Sequence, residues 1–233
     1  MGTRRTVLMV PGLVCDEALY APQREALGGS VDVVVPDVSR GMTLGEMAQA
    51  VLAVAPPRFA LLGLSMGGYV AFEVLRQAGQ RVEALALLDT SARPESAAQT
   101  ERRRALVDLA ARSGFPAMLD ALWPAEVARA SLPDGRLRAQ FDAMAGRFGP
   151  EVFRRQQEAI IGRADSRPDL AGIDLPTLVL CGREDAITPV DGHEEMAAGI
   201  RGAHLVVLGD CGHLSTWEQP RAVTAALREW LAL

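Results

Sequence analysis

The chain has 233 residues, a net charge of −5 and a pI near 5.3, enough length for one α/β domain with a substantial core and an insertion, and without the basic footprint of a nucleic-acid binder. All 24 basic residues are Arg, and the lack of any Lys excludes Schiff-base chemistry, a Walker-type phosphate site and a Ser-Lys dyad. Cys15, Cys181 and Cys211 are too sparse and odd in number for a disulfide framework, and no run approaches the roughly 18 uninterrupted apolar residues of a membrane span.

Reading from the N-terminus, Thr6–Val10 is a short apolar run stopped by Pro11-Gly12, too short for a signal-peptide core, so a cytoplasmic protein is expected. Further apolar runs at Val31–Val35, Ala60–Leu64, Ala84–Leu88, Thr177–Leu180 and His204–Leu208 read as strands. Between them, Leu44–Val54, Met66–Ala78, Glu194–Ile200 and Arg221–Trp230 carry helical patterning. Alternation of this kind implies a mostly parallel central sheet flanked by helices, whose doubly buried strands read as continuous Val and Leu runs. Gly79 is placed to end the second helix, and Ser215 with Glu218 or Thr216 with Gln219 has capping-box spacing ahead of the last.

Residues 93–167 break the rhythm. They lack β-type runs and show helical patterning broken by Gly114, Pro116, Pro124, Pro133, Gly135, Gly149 and Pro150. The expectation is one domain over 1–233 with a helical cap at 93–167 above the carboxyl ends of the strands, where open α/β sheets bind ligands. Most apolar residues of such a segment pack the cap itself; Trp123 and Phe141 are named as the candidates to line a pocket. Arg102-Arg103-Arg104 reads as a solvated helix face.

The chemistry centres on Gly63-Leu64-Ser65-Met66-Gly67, which follows an apolar strand and opens a helical segment. Ser on so tight a turn projects its hydroxyl above the sheet, provided that its flanks carry almost no side chain, and the Met66 N–H then faces an oxyanion formed at the serine. Such a serine needs a base and an acid to orient it. Of the three His residues, His204 begins a strand and His193 lies in a helical segment where Ala197 occupies the second position of a zinc H-E-x-x-H motif. His213 remains, at the end of a glycine-bearing loop after the last strand. Asp185, after the preceding strand, is favoured as the acid over Glu184 and Asp89; Asp37 reads as a loop cap, and Cys211 lacks the turn that a nucleophile needs.

These motifs, with Thr188-Pro189 and Glu218-Gln219-Pro220, resemble the α/β-hydrolase superfamily over essentially the whole chain. Within it, the compact size, the cap and Ser65-Met66-Gly67-Gly68 are similar to the branch of 3-oxoadipate enol-lactonases, small carboxylesterases and cofactor-free haloperoxidases. The resemblance implies a serine hydrolase with Ser65, His213 and Asp185 as triad, and with oxyanion donors at the Met66 N–H and, through Pro11-Gly12-Leu13, the Leu13 N–H. Members commonly carry His-Gly where this chain has Pro11-Gly12, so the side chain that braces that loop is missing. Small carboxylic esters or lactones are the expected substrates, with no metal or organic cofactor. C–C bond hydrolysis, thioester hydrolysis and perhydrolysis fit the same triad, and a non-turnover ligand receptor is the reading from another class. Monomer and homodimer are equally open.

Overall fold

The computed structural model describes residues 4–232. Six strands, β1 (Thr6–Val10), β2 (Asp32–Val34), β3 (Phe59–Leu64), β4 (Val82–Leu88), β5 (Thr177–Gly182) and β6 (His204–Leu208), form one all-parallel sheet in the order β2-β1-β3-β4-β5-β6. Side chains alternate between its faces. Val7, Met9, Leu62 and Leu64 enter one apolar cluster, while Leu8, Val10, Phe59 and Leu61 enter another. Every residue of β3 and β5 is buried, which is why these strands read as unbroken apolar runs rather than as an amphipathic alternation.

The helices are α1 (Ala21–Leu27), α2 (Leu44–Val54), α3 (Met66–Ala78), α4 (Ala97–Ser113), α5 (Phe115–Glu126), α6 (Gly135–Gly146), α7 (Gly149–Ile161), α8 (Val190–Gly199), α9 (Ser215–Glu218) and α10 (Pro220–Leu231). Met47 and Val51 of α2, Val70 and Val74 of α3 and Met196 of α8 cover one face of the sheet. On the other, Leu27 of α1 and Leu227 of α10 share a cluster with Leu122, Trp123, Phe141 and Phe153 from α5, α6 and α7. Thus α4 to α7, which fill the expected insertion, complete the same apolar layer as the sheet. A buried carboxylate ties the two ends of that stretch: Glu95 pairs with Arg103 at 2.7 Å and with Arg163. Among the described residues no helix is long and apolar enough to cross a membrane.

Several local expectations are corrected. The strand expected over Val31–Val35 is only Asp32–Val34, at the sheet edge; β3 and β4 begin earlier, and β5 runs on to Gly182. Helix α8 starts at Val190, four positions before the expected Glu194, because Pro189 (φ −60°, ψ 161°) holds extended backbone immediately before it. Gly79 has φ −55°, so it is no left-handed cap, and the chain passes instead into a 3₁₀ turn over Gly79–Arg81. Neither capping box forms near the C-terminus. Ser215 donates to Asp89, and the Glu218 carboxylate accepts from the backbone N–H groups of Gly212 and Ala128, both at 2.8 Å.

Glycines separate two kinds of position. A Cβ on Gly67 would overlap the Val10 carbonyl, whereas nothing lies near a Cβ on Gly79, whose φ any residue adopts. Gly67→Ala is therefore expected to lose about 3 kcal/mol or more of unfolding free energy, and Gly79→Ala to gain about 0.5 kcal/mol. Urea unfolding of both variants checks this, and equal midpoints would show that the close approach does not constrain the fold.

Candidate active site

The strand order changes direction at β1: the chain first adds β2 on one side and then returns to place β3 on the other. Loops leaving β1 and β3 therefore diverge and open a crevice at their carboxyl ends. Ser65 stands there, between β3 and α3, with φ 55° and ψ −117°. A non-glycine residue in that region stores strain that its surroundings must offset. Its own backbone is held at both ends: the Ser65 N–H donates to the Leu88 carbonyl at 3.0 Å, and the Thr90 hydroxyl donates to the Ser65 carbonyl at 2.8 Å. A Cβ at Gly63 or Gly67 would strike neighbouring backbone, so the turn tolerates only hydrogen there.

His213 reaches this serine from the loop after β6, with Nε2 2.8 Å from Ser65 Oγ and Nδ1 2.8 Å from Asp185 Oδ2. The loop is fixed by close backbone contact. A Cβ on Gly182 would overlap the Cys211 and Gly212 carbonyls, and the Gly212 N–H donates to Glu218. Asp185 is itself locked by its own turn: Oδ1 accepts from the N–H groups of Ile187 and Thr188, each at 2.9 Å, and Oδ2 accepts from the Thr188 hydroxyl at 2.7 Å. Burial works to raise the Asp185 pKa, but the His213 charge and these hydrogen bonds outweigh it and hold the carboxyl below its ordinary range. For His213, burial disfavours the imidazolium, while the Asp185 carboxylate, with Glu126 and Asp89 behind it, more than compensates and raises the pKa above the usual histidine value.

The other candidates from the sequence sit elsewhere. Asp89, at φ 46°, accepts at Oδ1 from the Gly182 N–H at 3.1 Å and at Oδ2 from the Ser215 hydroxyl. It ties β4, β5 and the segment after His213 together; burial and the Asp185 charge push its pKa up. Glu184 accepts from the Arg129 N–H at 3.0 Å, and Asp37 accepts from the Ser39 N–H at 2.9 Å as a loop cap. His193 is buried, its Nε2 accepting from the Thr90 N–H at 2.9 Å and its Nδ1 facing the Pro189 carbonyl at 3.2 Å. Cys211 is buried, and burial pushes its thiol pKa far up.

Leu13 and Met66 flank the serine. A Cβ on Gly12 would lie 3.5 Å from Ser65 Cβ, which places the Gly12-Leu13 loop against the Ser65 turn. Neither the Leu13 nor the Met66 N–H donates to a protein acceptor among the described residues, which leaves both available. A side chain that sequence reasoning missed braces this loop. Val14, at φ 47°, donates its N–H to Oε1 of Gln156 in α7 at 2.8 Å. The only sequence signal was a polar pair, Gln156-Gln157, among the inward positions of an amphipathic helix.

A cavity opens above Ser65 and His213. Leu106, Leu122, Ile160, Ile187 and Leu214 are among its apolar lining; Glu95, Gln99, Arg102, Arg103, Glu126 and Gln157 are its polar side. Trp123 and Phe141 do not line it. Their rings pack on each other 5.5 Å apart, both buried in the layer behind. Successive residues of a helix point about 100° apart, so Leu122 faces the cavity while Trp123 faces away. The Arg102-Arg103-Arg104 run is a solvated face only in part, because Arg103 turns inward to Glu95 and to Gln157 at 2.8 Å. Glu126 was also missed, although a carboxylate as the last residue of a helix, against the dipole, was a legible anomaly. Burial, with the Asp185 charge beside it, raises its pKa from 4.5 to about 7.

A model described as the alpha/beta hydrolase family matches residues 7–227. Among solved structures, a thermophilic esterase from Thermogutta terrifontis is 33% identical, covering 100% of this chain and 91% of that one, with a TM-score of 0.88. The enol-lactonase from Burkholderia xenovorans LB400 is 26% identical over 100% and 93% of the two chains, with a TM-score of 0.90. A protein of Variovorax paradoxus (strain S110) assigned as a carbamate hydrolase, RutD, is 27% identical over 97% of this chain and 91% of its own.

Between pH 4.5 and about 7 the folded chain keeps a proton on Glu126 that the unfolded chain has released, so stability falls as pH rises through that window. Glu126→Gln removes the loss. Its unfolding free energy is expected to exceed that of the wild type by about 3 kcal/mol more at pH 8 than at pH 4.5. Urea titrations at the two pH values test this, and an equal difference at both would place Glu126 in a solvated environment.

Proposed function

The chain belongs to the alpha/beta hydrolase family, and from that premise we propose that it is a serine hydrolase that cleaves a small carboxylic ester or lactone through an acyl-enzyme. The observation that carries this reading is the unbroken line Ser65 Oγ, His213 Nε2, His213 Nδ1, Asp185 Oδ2, with 2.8 Å at each of its two hydrogen bonds. An isolated serine hydroxyl is a poor nucleophile at neutral pH; an imidazole at this distance accepts its proton as Oγ bonds to the carbonyl carbon. Asp185 holds the tautomer with the proton on Nδ1 and stabilises the imidazolium that results. The carbonyl electrons move onto oxygen, where the Leu13 and Met66 N–H groups receive the charge, aided by the positive end of α3. Collapse expels the alkoxide, which takes the proton from His213 Nε2. Water then attacks the acyl-serine by the same steps, returning Ser65 and releasing the acid. Residues 93–167 act as the cap, and the cavity beneath them, with both apolar and polar lining, suits a small acyl group.

Esterase and enol-lactonase neighbours of nearly the same length support ester-type chemistry at this site. Steady hydrolysis of p-nitrophenyl butyrate is the direct test: Ser65→Ala is expected to abolish turnover, and Asp185→Asn to lower kcat on the order of 10³- to 10⁴-fold with the fold retained. Activity that survives Ser65→Ala would overturn the assignment.

Only neutral His213 can take the serine proton, and its pKa is raised, so kcat/KM is expected to fall with decreasing pH along a limb centred above 6.5. Asp185→Asn removes the main group that raises this pKa, and the limb of its residual activity is expected to move to lower pH. A limb unmoved by the substitution would mean that another group titrates.

A further inference from the structure

Glu126 is 7% exposed, and its backbone is fixed relative to the proposed base: the Leu214 N–H, next to His213, donates to the Glu126 carbonyl at 2.9 Å. Its carboxyl borders the cavity that holds Ser65 and His213, and no hydrogen-bond donor of the described residues reaches it. Its oxygens are open to the cavity rather than sealed in the core, and nothing in the packing of α5 requires a carboxyl there, since Leu119, Leu122 and Trp123 already supply its apolar contacts. Asp89, the other buried acid near His213, has two donors. The difference points to a donor that arrives with the substrate.

We propose that Glu126 is a substrate-binding residue that selects esters or lactones bearing a hydroxyl group close to the scissile carbonyl. The inference rests on the ester- or lactone-cleaving reading above. The charges around the carboxyl decide the class of ligand. Arg102 and Arg103 of α4 line the cavity with it, Arg103 already paired with Glu95, and the His213 and Asp185 charges also act on it, with the Cys15 thiol near. An ammonium group would meet the two guanidinium groups, and a second carboxylate would meet Glu126 and Glu95. A hydroxyl suits both protonation states, donating to the carboxylate and accepting from the acid, and Glu126 passes between them near pH 7. A site built to bond a hydroxyl rejects the analogue that lacks it, because the protein group is then left buried and unpaired.

The test compares methyl 3-hydroxybutyrate with methyl 3-methylbutyrate, in which a methyl replaces the hydroxyl, on the wild type, Glu126→Gln and Glu126→Leu. The wild type is expected to favour the hydroxy ester at least about tenfold in kcat/KM. Glu126→Gln should keep part of that preference, and Glu126→Leu should reverse it. Calorimetric binding of both esters to Ser65→Ala, alone and combined with Glu126→Leu, reads the same preference without turnover. Preferential binding without hydrolysis in the wild type would therefore overturn the proposed chemistry and leave the Glu126 site standing. A preference unchanged by Glu126→Leu, or no binding of either ester, would overturn the Glu126 site. Monomethyl succinate preferred by the wild type and by Glu126→Leu alike would also overturn it, assigning selection to Arg102.

Discussion

Where the ends of β5 and β6 meet, peptide planes lie against one another with no side chain between them, because Gly182 faces the Cys211 and Gly212 carbonyls. This approach sets the position of His213. With any Cβ at Gly182 the loop after β6 would stand off, and a ring held 2.8 Å from both a serine oxygen and a carboxylate oxygen leaves little room for displacement. The same device recurs at Gly63 and Gly67, where β3 turns into α3 beside the end of β1. Close backbone packing at the carboxyl edge is thus the condition for every side-chain distance in the site.

A second constraint is electrical. Three buried acids, Asp185, Asp89 and Glu126, surround one imidazole, and all of them favour its charged form against the penalty of burial. They differ in how they are satisfied. Asp185 accepts from its own turn and from His213, Asp89 from Gly182 and Ser215, and Glu126 from no protein donor among the described residues. The first two hold loops in place while they shape the field. Glu126 adds field and an open hydrogen-bonding position on the cavity wall, at a cost in stability above its pKa.

Much of this was legible in the sequence where physical demands are local. The Gly63-to-Gly67 turn, the apolar strands and the glycine-bearing loop before His213 each state a backbone requirement in a few consecutive residues. What escaped depends on partners distant in the chain. Ser215 and Glu218 have the spacing of a helix cap, yet serve Asp89 and the Gly212 and Ala128 N–H groups. Trp123 looked like a pocket residue by chemistry, but helix phase gives the cavity to Leu122. Phase relative to a distant element cannot be read from α5 alone. Gln156 is the same kind of case: a polar residue on an inward helix face becomes intelligible only beside the strained Val14 N–H, 142 positions away.

The bond between Gln156 and Val14 makes one mechanical unit of α7 and the loop that presents the Leu13 N–H. Substrate range in such a protein is altered most readily by remodelling the helices over the sheet, where loops and insertions tolerate change. Here that freedom is restricted, because a shift of α7 also moves the loop that carries the proposed oxyanion donor. On the proposed mechanism selectivity and rate are therefore inherited together, and diversification of the helical segment has to proceed around α7 rather than through it.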